Sequence, residues 1–115
     1  MAISEPYVDS GTTIGTTEYS LPGDSTSLQS ITDDGVYVAL LDFTAMALGD
    51  EYTIKLKEKV YGADTQITIG QWWLAGPQTE PHTLDMGILL HGWDLTVTKL
   101  AGTDRSIAWS IRKVS

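Results

Sequence analysis

Apolar and polar residues alternate with a period of two along several stretches of this chain, which is the pattern of a β-strand with one face on a core. Residues 51–60 show it most clearly, and their apolar positions are Tyr52, Ile54, Leu56 and Val60. The intervening positions carry Thr53 and three lysines, so one face of this strand is predicted to lie in water. The lysines are interpreted as a solvated face, with contact to a partner as the alternative.

Other stretches predict further strands. Residues 36–43 (VYVALLDF) are almost continuously apolar, which favours a central strand covered, or nearly covered, on both faces. Shorter or less regular strands are predicted at residues 14–21, 27–31, 65–74 and 82–86. Residues 44–48 predict a single helical turn or a compact crossover. Residues 93–98 and 107–112 both alternate, and the short loop between them predicts an antiparallel hairpin.

Glycine-centred turns separate these stretches at nearly even spacing, as in a sandwich or barrel of short strands. They lie at Gly23, Gly35, Gly49, Gly62, Gly76, Gly92 and Gly102. The prediction is an all-β, antiparallel β-sandwich of about eight strands. It forms one domain over residues 14–115, because a chain of 115 residues fits a single core. Residues 1–13, rich in Ser, Thr and Gly, are predicted to form a flexible N-terminal arm.

The charge of the chain is uneven. The net charge is −8, and residues 1–54 contain nine acidic residues but no Lys or Arg. This acidic half argues against nucleic-acid binding, which requires neutralisation of phosphates. No apolar run approaches the roughly 20 residues of a membrane span, so no membrane partner is expected. The acidity serves solubility or, alternatively, orients the protein against a partner.

The candidate catalytic and metal-binding residues do not form a recognisable motif. Ser25 follows a Pro-Gly-Asp turn and lacks the strained Gly-x-Ser-x-Gly elbow of a nucleophile. His82 and Asp85 can form a pair, but a zinc site needs three or four ligands. Residues 33–35 (DDG) lack the spacing of a calcium loop and predict a turn. We therefore expect no catalytic, cofactor or metal site, and no enzyme.

Four residues are candidates for a protein interface. Trp72 and Trp73 are adjacent, so in a strand their side chains face opposite sides, and one of them leaves the core. That tryptophan can pack within the chain, contact a protein partner, or stack on a sugar ring. A bulge at Gly70 would change which of the two points inward. Tyr7 and Val8 are the candidate anchors of the N-terminal arm.

Several short strings resemble small structural proteins of tailed bacteriophages. The strings are residues 15–21 (GTTEYSL), 41–43 (LDF), 48–52 (LGDEY), 58–59 with Tyr61, 89–94 (LLHGWD) and 101–107 (AGTDRSI). The resemblance extends over most of residues 14–112 and contains no catalytic motif.

The resemblance implies a virion protein, most specifically a capsid decoration or cement protein. Such proteins often have jelly-roll sandwiches, lie on the exterior of the capsid and clamp the major capsid protein. The resemblance further implies a homo-oligomer, a trimer or dimer, made in the cytoplasm of the host bacterium. Two alternatives stay open from the sequence: a tail, neck or baseplate-associated virion protein, and a carbohydrate-binding module.

Overall fold

The computed structural model describes residues 2–114, which form eight β-strands and no helix. In chain order the strands are β1 Ile3–Ile14, β2 Tyr19–Ser20, β3 Gly35–Asp42, β4 Glu51–Glu58, β5 Ile67–Ala75, β6 His82–Leu89, β7 Asp94–Ala101 and β8 Arg105–Val114. Sheet A has the order β1-β8-β3-β6, and sheet B has the order β2-β7-β4-β5. Every pairing is antiparallel, which confirms the predicted all-β sandwich of about eight strands.

The strand pairs are nested. β4 pairs with β5, β3 with β6, β2 with β7 and β1 with β8. This is the pattern of one long hairpin, with β4 and β5 at its tip, that has been folded across itself. Further pairing of β3 with β8 and of β4 with β7 closes the two four-stranded sheets.

The core lies between the sheets, because each sheet turns one apolar face inward. In β3 the inward residues are Tyr37, Ala39 and Leu41, and all three are fully buried. The rings of Trp93 and Tyr37 lie 4.7 Å apart between their centroids. β3 lies centrally in sheet A, between β8 and β6, as predicted. Its outward positions are only partly covered, and Val36 is 40% exposed, so its second face is more open than the continuous apolar run predicted.

The carboxylate of Asp50 ties the compact crossover of residues 43–50 to the β7–β8 connection. It accepts hydrogen bonds from the backbone N–H of Ala47 at 2.8 Å and of Thr103 at 2.9 Å. It also forms an ion pair with Arg105, with an Nε–Oδ2 distance of 2.7 Å. These donors lower the pKa of Asp50 to about 2, and the backbone N–H of Thr103 has the largest effect.

The hydroxyl of Tyr52 joins the same connection to the end of β1. It accepts a hydrogen bond from the backbone N–H of Arg105 at 2.7 Å. The same hydroxyl can donate its proton to the carbonyl oxygen of Ile14, at 3.0 Å, or to that of Thr103, at 3.2 Å. Tyr52, on sheet B, is fully buried, and its single hydroxyl satisfies backbone groups of β1, of β8 and of the loop between β7 and β8.

The predicted hairpin of the last two strands is wrong. β7 lies in sheet B and β8 in sheet A, so the loop at residues 102–104 crosses between the sheets. Period-two alternation shows that each strand has one buried face, and two strands facing each other across a core satisfy it as well as two paired strands do. The contacts of Asp50 and Tyr52 hold this loop in the crossing geometry.

The N-terminal segment and the short strands also differ from expectation. Residues 3–14 form β1, an edge strand of sheet A, and the predicted boundary between arm and domain falls inside this strand. Backbone pairing with β8 requires few apolar side chains, and two register shifts accommodate the irregular sequence. Met1 lies outside the described residues, and the flexibility of the segment stays a prediction. The strand predicted at 14–21 is reduced to β2, and residues 27–31 contribute one isolated bridge, between Ile31 and Trp93.

Candidate functional site

A β-bulge decides which of the two adjacent tryptophans is buried. Leu56 pairs with Gly70 but Lys57 pairs with Thr68, so β5 has one extra residue between the two pairs. This extra residue reverses the alternation and turns Trp72 inward, where it packs against the core. The ring of Trp72 covers Gly70, since a Cβ at that glycine would lie 3.0 Å from Trp72 Cη2.

Trp73 consequently points out of sheet B and leaves 61% of its surface exposed. It borders an open groove of about 380 Å³ together with Leu48, which is 91% exposed. The remaining lining residues are Gly49, Asp50, Glu51, Ala75 and Gly76. The groove thus combines an exposed indole and an exposed leucine, and we call it the Trp73 groove.

The outer face of sheet A is the second exposed apolar surface. It contains three rows of side chains, each with a residue from β8, β3 and β6. The rows are Val114–Val36–Ile88, Arg112–Val38–Asp85 and Ser110–Leu40–Thr83. Ile88 is 79% exposed, and a hollow of about 220 Å³ adjoins Leu40. We call this surface the A-face.

The four predicted interface residues lie on two edge strands of different sheets. Tyr7 points inward from β1, half-buried, with its ring 5.7 Å from that of Trp93. Val8 is exposed and pairs with Ser110, at the margin of the A-face. Trp72 and Trp73 lie on β5. The structure therefore does not unite these residues in one site, and their role in an interface stays a prediction.

The apolar rows of the A-face were missed in the sequence. The signal was present in the run VYVALLDF, but continuous apolar character does not distinguish a strand buried on both faces from one that exposes an apolar face. The neighbours Ile88 and Val114 come from strands distant in sequence, so only the sheet order places them beside Val36.

Among the described residues, four of the seven basic side chains form ion pairs. The pairs are Lys57–Glu18 at 2.7 Å, Lys99–Asp104 at 2.5 Å, Arg105–Asp50 at 2.7 Å and Lys113–Asp33 at 2.6 Å. The hydrogen bond from Lys113, with a second from the Tyr37 hydroxyl, lowers the pKa of Asp33. The lysines of β4 are therefore a partly neutralised face, and Asp33 serves a structural ion pair.

Asp94 is the most deeply buried acidic group, and its contacts are structural. Its carboxylate accepts hydrogen bonds from the Ser20 hydroxyl at 2.7 Å and from the backbone N–H of Gln29 at 2.9 Å. Burial raises the pKa of Asp94, and these hydrogen bonds oppose the rise. The hydrogen bonds of Asp94 hold residues 20–29 against the outer face of sheet B near β7.

The candidate catalytic residues are not brought together. His82 contacts Gln78 Oε1 through Nε2 at 2.8 Å, whereas Asp85 accepts from the backbone N–H of Gly87 at 3.0 Å. The two side chains point to opposite faces of β6, since His82 pairs with Leu41 and Asp85 with Val38. The hydroxyl of Ser25 accepts a hydrogen bond from the backbone N–H of Ser27.

Within residues 2–114, no group of three or more His, Cys, Asp or Glu side chains is arranged to hold a metal ion. The same part of the chain contains no helix that is long and apolar enough to cross a membrane. Comparisons with protein-family models, with curated proteins and with solved structures found no match to this chain.

Proposed function

We propose that this protein is a non-enzymatic structural component of a tailed-bacteriophage virion, and most specifically a head decoration protein that binds the major capsid protein. The Trp73 groove carries the proposal, because it presents a large indole to solvent on a stiff scaffold. Tryptophan is among the residues that contribute most to protein–protein binding. The resemblance of the sequence to small phage structural proteins supplies the identity of the partner.

We infer further that the sandwich is a jelly roll. Its support is the nested pairing of eight strands into two sheets of four, which is the arrangement of a hairpin rolled across itself. Jelly rolls consist of eight strands in two sheets and recur in viral capsid proteins. Fold alone does not assign a function, so this inference is consistent with the proposal and does not carry it.

The physical properties of the chain suit a protein added to the exterior of a capsid. A close-packed core gives a stiff clamp. A net charge of −8 keeps free copies apart in the host cytoplasm before assembly. Binding at many equivalent positions on a capsid raises the total binding energy without requiring strong single contacts.

Co-sedimentation with expanded capsids of the parent phage tests the proposal. The wild-type protein is expected to bind saturably, at a fixed ratio to capsomers. Trp73→Ala is expected to weaken binding about 30-fold, corresponding to about 2 kcal/mol for a hot-spot tryptophan. Tyr61→Ala is the matched control, because Tyr61 is an equally exposed aromatic residue in the β4–β5 loop. Absence of binding, with the protein in tail fractions instead, would contradict the decoration role and favour the tail alternative.

The surroundings of Trp73 also favour a second candidate, glycan binding. Gln71 and Thr53 lie beside it on the outer face of sheet B, with 3.3 Å between Gln71 Nε2 and Thr53 Oγ1. An indole beside the exposed Gln71 amide is suited to stack on a sugar ring and hydrogen-bond one of its hydroxyls, whereas the Thr53 hydroxyl is buried and donates to the Trp72 carbonyl oxygen. A glycan array separates the two functions: Trp73-dependent binding to a sugar, without binding to capsids, would support the carbohydrate-binding module.

A further inference from the structure

The A-face has the composition of a covered surface, although no part of residues 2–114 covers it. An antiparallel sheet with one face on the core normally turns polar side chains outward. Here β3 turns Val36, Val38 and Leu40 outward, flanked by Ile88 on β6. Arg112, on β8, forms no ion pair with residues 2–114, and its Nε donates to the Ser110 hydroxyl at 3.2 Å.

The charges of the three rows are complementary to themselves under a two-fold rotation. Arg112 and Asp85 lie in one row, on either side of Val38. When two copies stack face to face about a two-fold axis along β3, β8 of each copy lies over β6 of the other. Arg112 of each copy then meets Asp85 of the second copy, and Val38 meets Val38. A two-fold interface requires this reciprocity.

The neighbouring rows agree with the same axis. The apolar row places Val36 against Val36 and Ile88 against Val114 of the second copy. The third row places Leu40 against Leu40, and the hydroxyl of Ser110 against that of Thr83. Within these three rows, each apolar side chain meets an apolar one, and each polar side chain meets one with which it can form an ion pair or a hydrogen bond. The next outward residue of β3 is Asp42, which would meet Asp42 of the second copy, so the contact ends at the third row.

Other two-fold axes parallel to the strands do not bring Arg112 and Asp85 of the two copies together. An axis along β8 places Arg112 against Arg112. An axis midway between β8 and β3 places Asp85 against β1 and places Arg112 against Val38. The first arrangement juxtaposes like charges, and the second leaves Arg112 without an acidic partner.

We propose that the A-face is a homodimer interface, in which two copies of this chain stack about a two-fold axis along β3. The three rows span five residues on each of three strands and give a contact of about 14 by 16 Å, hence about 450 Å² of flat area from the two copies together. Stable interfaces bury roughly 1,200–2,000 Å², so this dimer is weak and forms at high local concentration. Such concentration exists where many copies cover one particle.

Charge reversal tests the pairing directly. Sedimentation equilibrium of the purified protein from about 10 µM to about 1 mM, the range of weak interfaces, is expected to show a monomer–dimer equilibrium. Arg112→Glu and Asp85→Arg, each alone, are expected to raise the dissociation constant at least about tenfold, because like charges then meet twice. Lys55→Glu is the matched control, since Lys55 lies on the other sheet.

Mixing the two single variants gives the sharpest outcome. In a mixed dimer, Glu at position 112 meets Arg at position 85, and the native Asp85 meets the native Arg112, so association is expected to recover. The double variant is expected to recover it as well. A monomer throughout the concentration range, a trimer, or an unchanged equilibrium in both single variants would overturn the proposal. None of these measurements involves a capsid, so they succeed or fail independently of the proposed function.

Discussion

Replacement of Tyr52 by phenylalanine tests whether a single hydroxyl holds the crossing between the sheets. The change keeps the buried ring and removes the acceptor of the Arg105 backbone N–H, at 2.7 Å, and the donor to Ile14 or Thr103. A buried polar group left without a partner costs about 1–3 kcal/mol. The unfolding entropy of a chain of 115 residues converts each kcal/mol into about 4 °C, so the melting temperature is expected to fall by about 4–12 °C.

The assay is thermal unfolding followed by circular dichroism, with urea unfolding as a second measure of the free energy. Tyr19→Phe is the matched control, because the Tyr19 hydroxyl donates to Asp24 at 2.8 Å in an exposed position. Loss of that bond is expected to change stability by less than about 0.5 kcal/mol. Equal losses in the two variants, or a stable Tyr52→Phe protein, would refute the assignment of the crossing to this hydroxyl.

Three further predictions concern stability. Because the pKa of Asp50 is lowered in the folded protein, its carboxylate contributes stability that is fully present above its unfolded pKa of about 3.8 and is lost as the pH falls through about 2. Asp50→Asn is therefore expected to flatten the acid unfolding profile between these pH values. Gly102→Ala is expected to lower the free energy of unfolding in urea by more than about 3 kcal/mol, because the φ of Gly102 is +89° and a Cβ would lie 2.6 Å from Asp50 Cα. The matched control Gly76→Ala, with φ +74° and open space around the new Cβ, is expected to lower it by about 1 kcal/mol. Trp72→Ala is expected to lower the unfolding free energy by about 2–3 kcal/mol and Trp73→Ala by less than about 1, and similar losses would contradict the bulge-determined orientation.

The positions of several strands were predictable because their side chains alternate in burial. β4, for example, was expected at residues 51–60 and lies at Glu51–Glu58, with Ile54 and Leu56 on the core. Lysines mark its outer face, so the core-facing side is unambiguous. Val60 was expected on the core side but follows the end of the strand and is exposed.

The partners of the strands were not predictable, since alternation reports burial and not neighbours. β7 and β8 are separated by three residues, yet they belong to different sheets because Asp50 and Tyr52 bind the loop between them. β1 was missed for a related reason. Its place at the edge of sheet A depends on backbone hydrogen bonds to β8, which leave no mark on side-chain composition.

For the candidate surfaces, too, the sequence predicts that a side chain leaves the core but not which side chain it is or which residues lie beside it. That one of the two adjacent tryptophans leaves the core follows from strand geometry, but the choice of Trp73 depends on a bulge beside Gly70. The A-face depends on sheet order throughout, because Arg112 and Asp85 meet in one row only after β3, β6 and β8 have assembled.

The nested pairing also sets the order in which the strands can join during folding. β4 and β5 are connected by residues 59–66, whereas β1 and β8 bring residue 3 beside residue 114. The entropy lost on closing a loop rises with its length, so pairing proceeds most readily outward from the β4–β5 hairpin, and β1 joins last. Until it does, the edge of β8 stays open to β1 of another chain. Exchange of β1 between chains is therefore the misfolding route to which this topology is most exposed at high concentration.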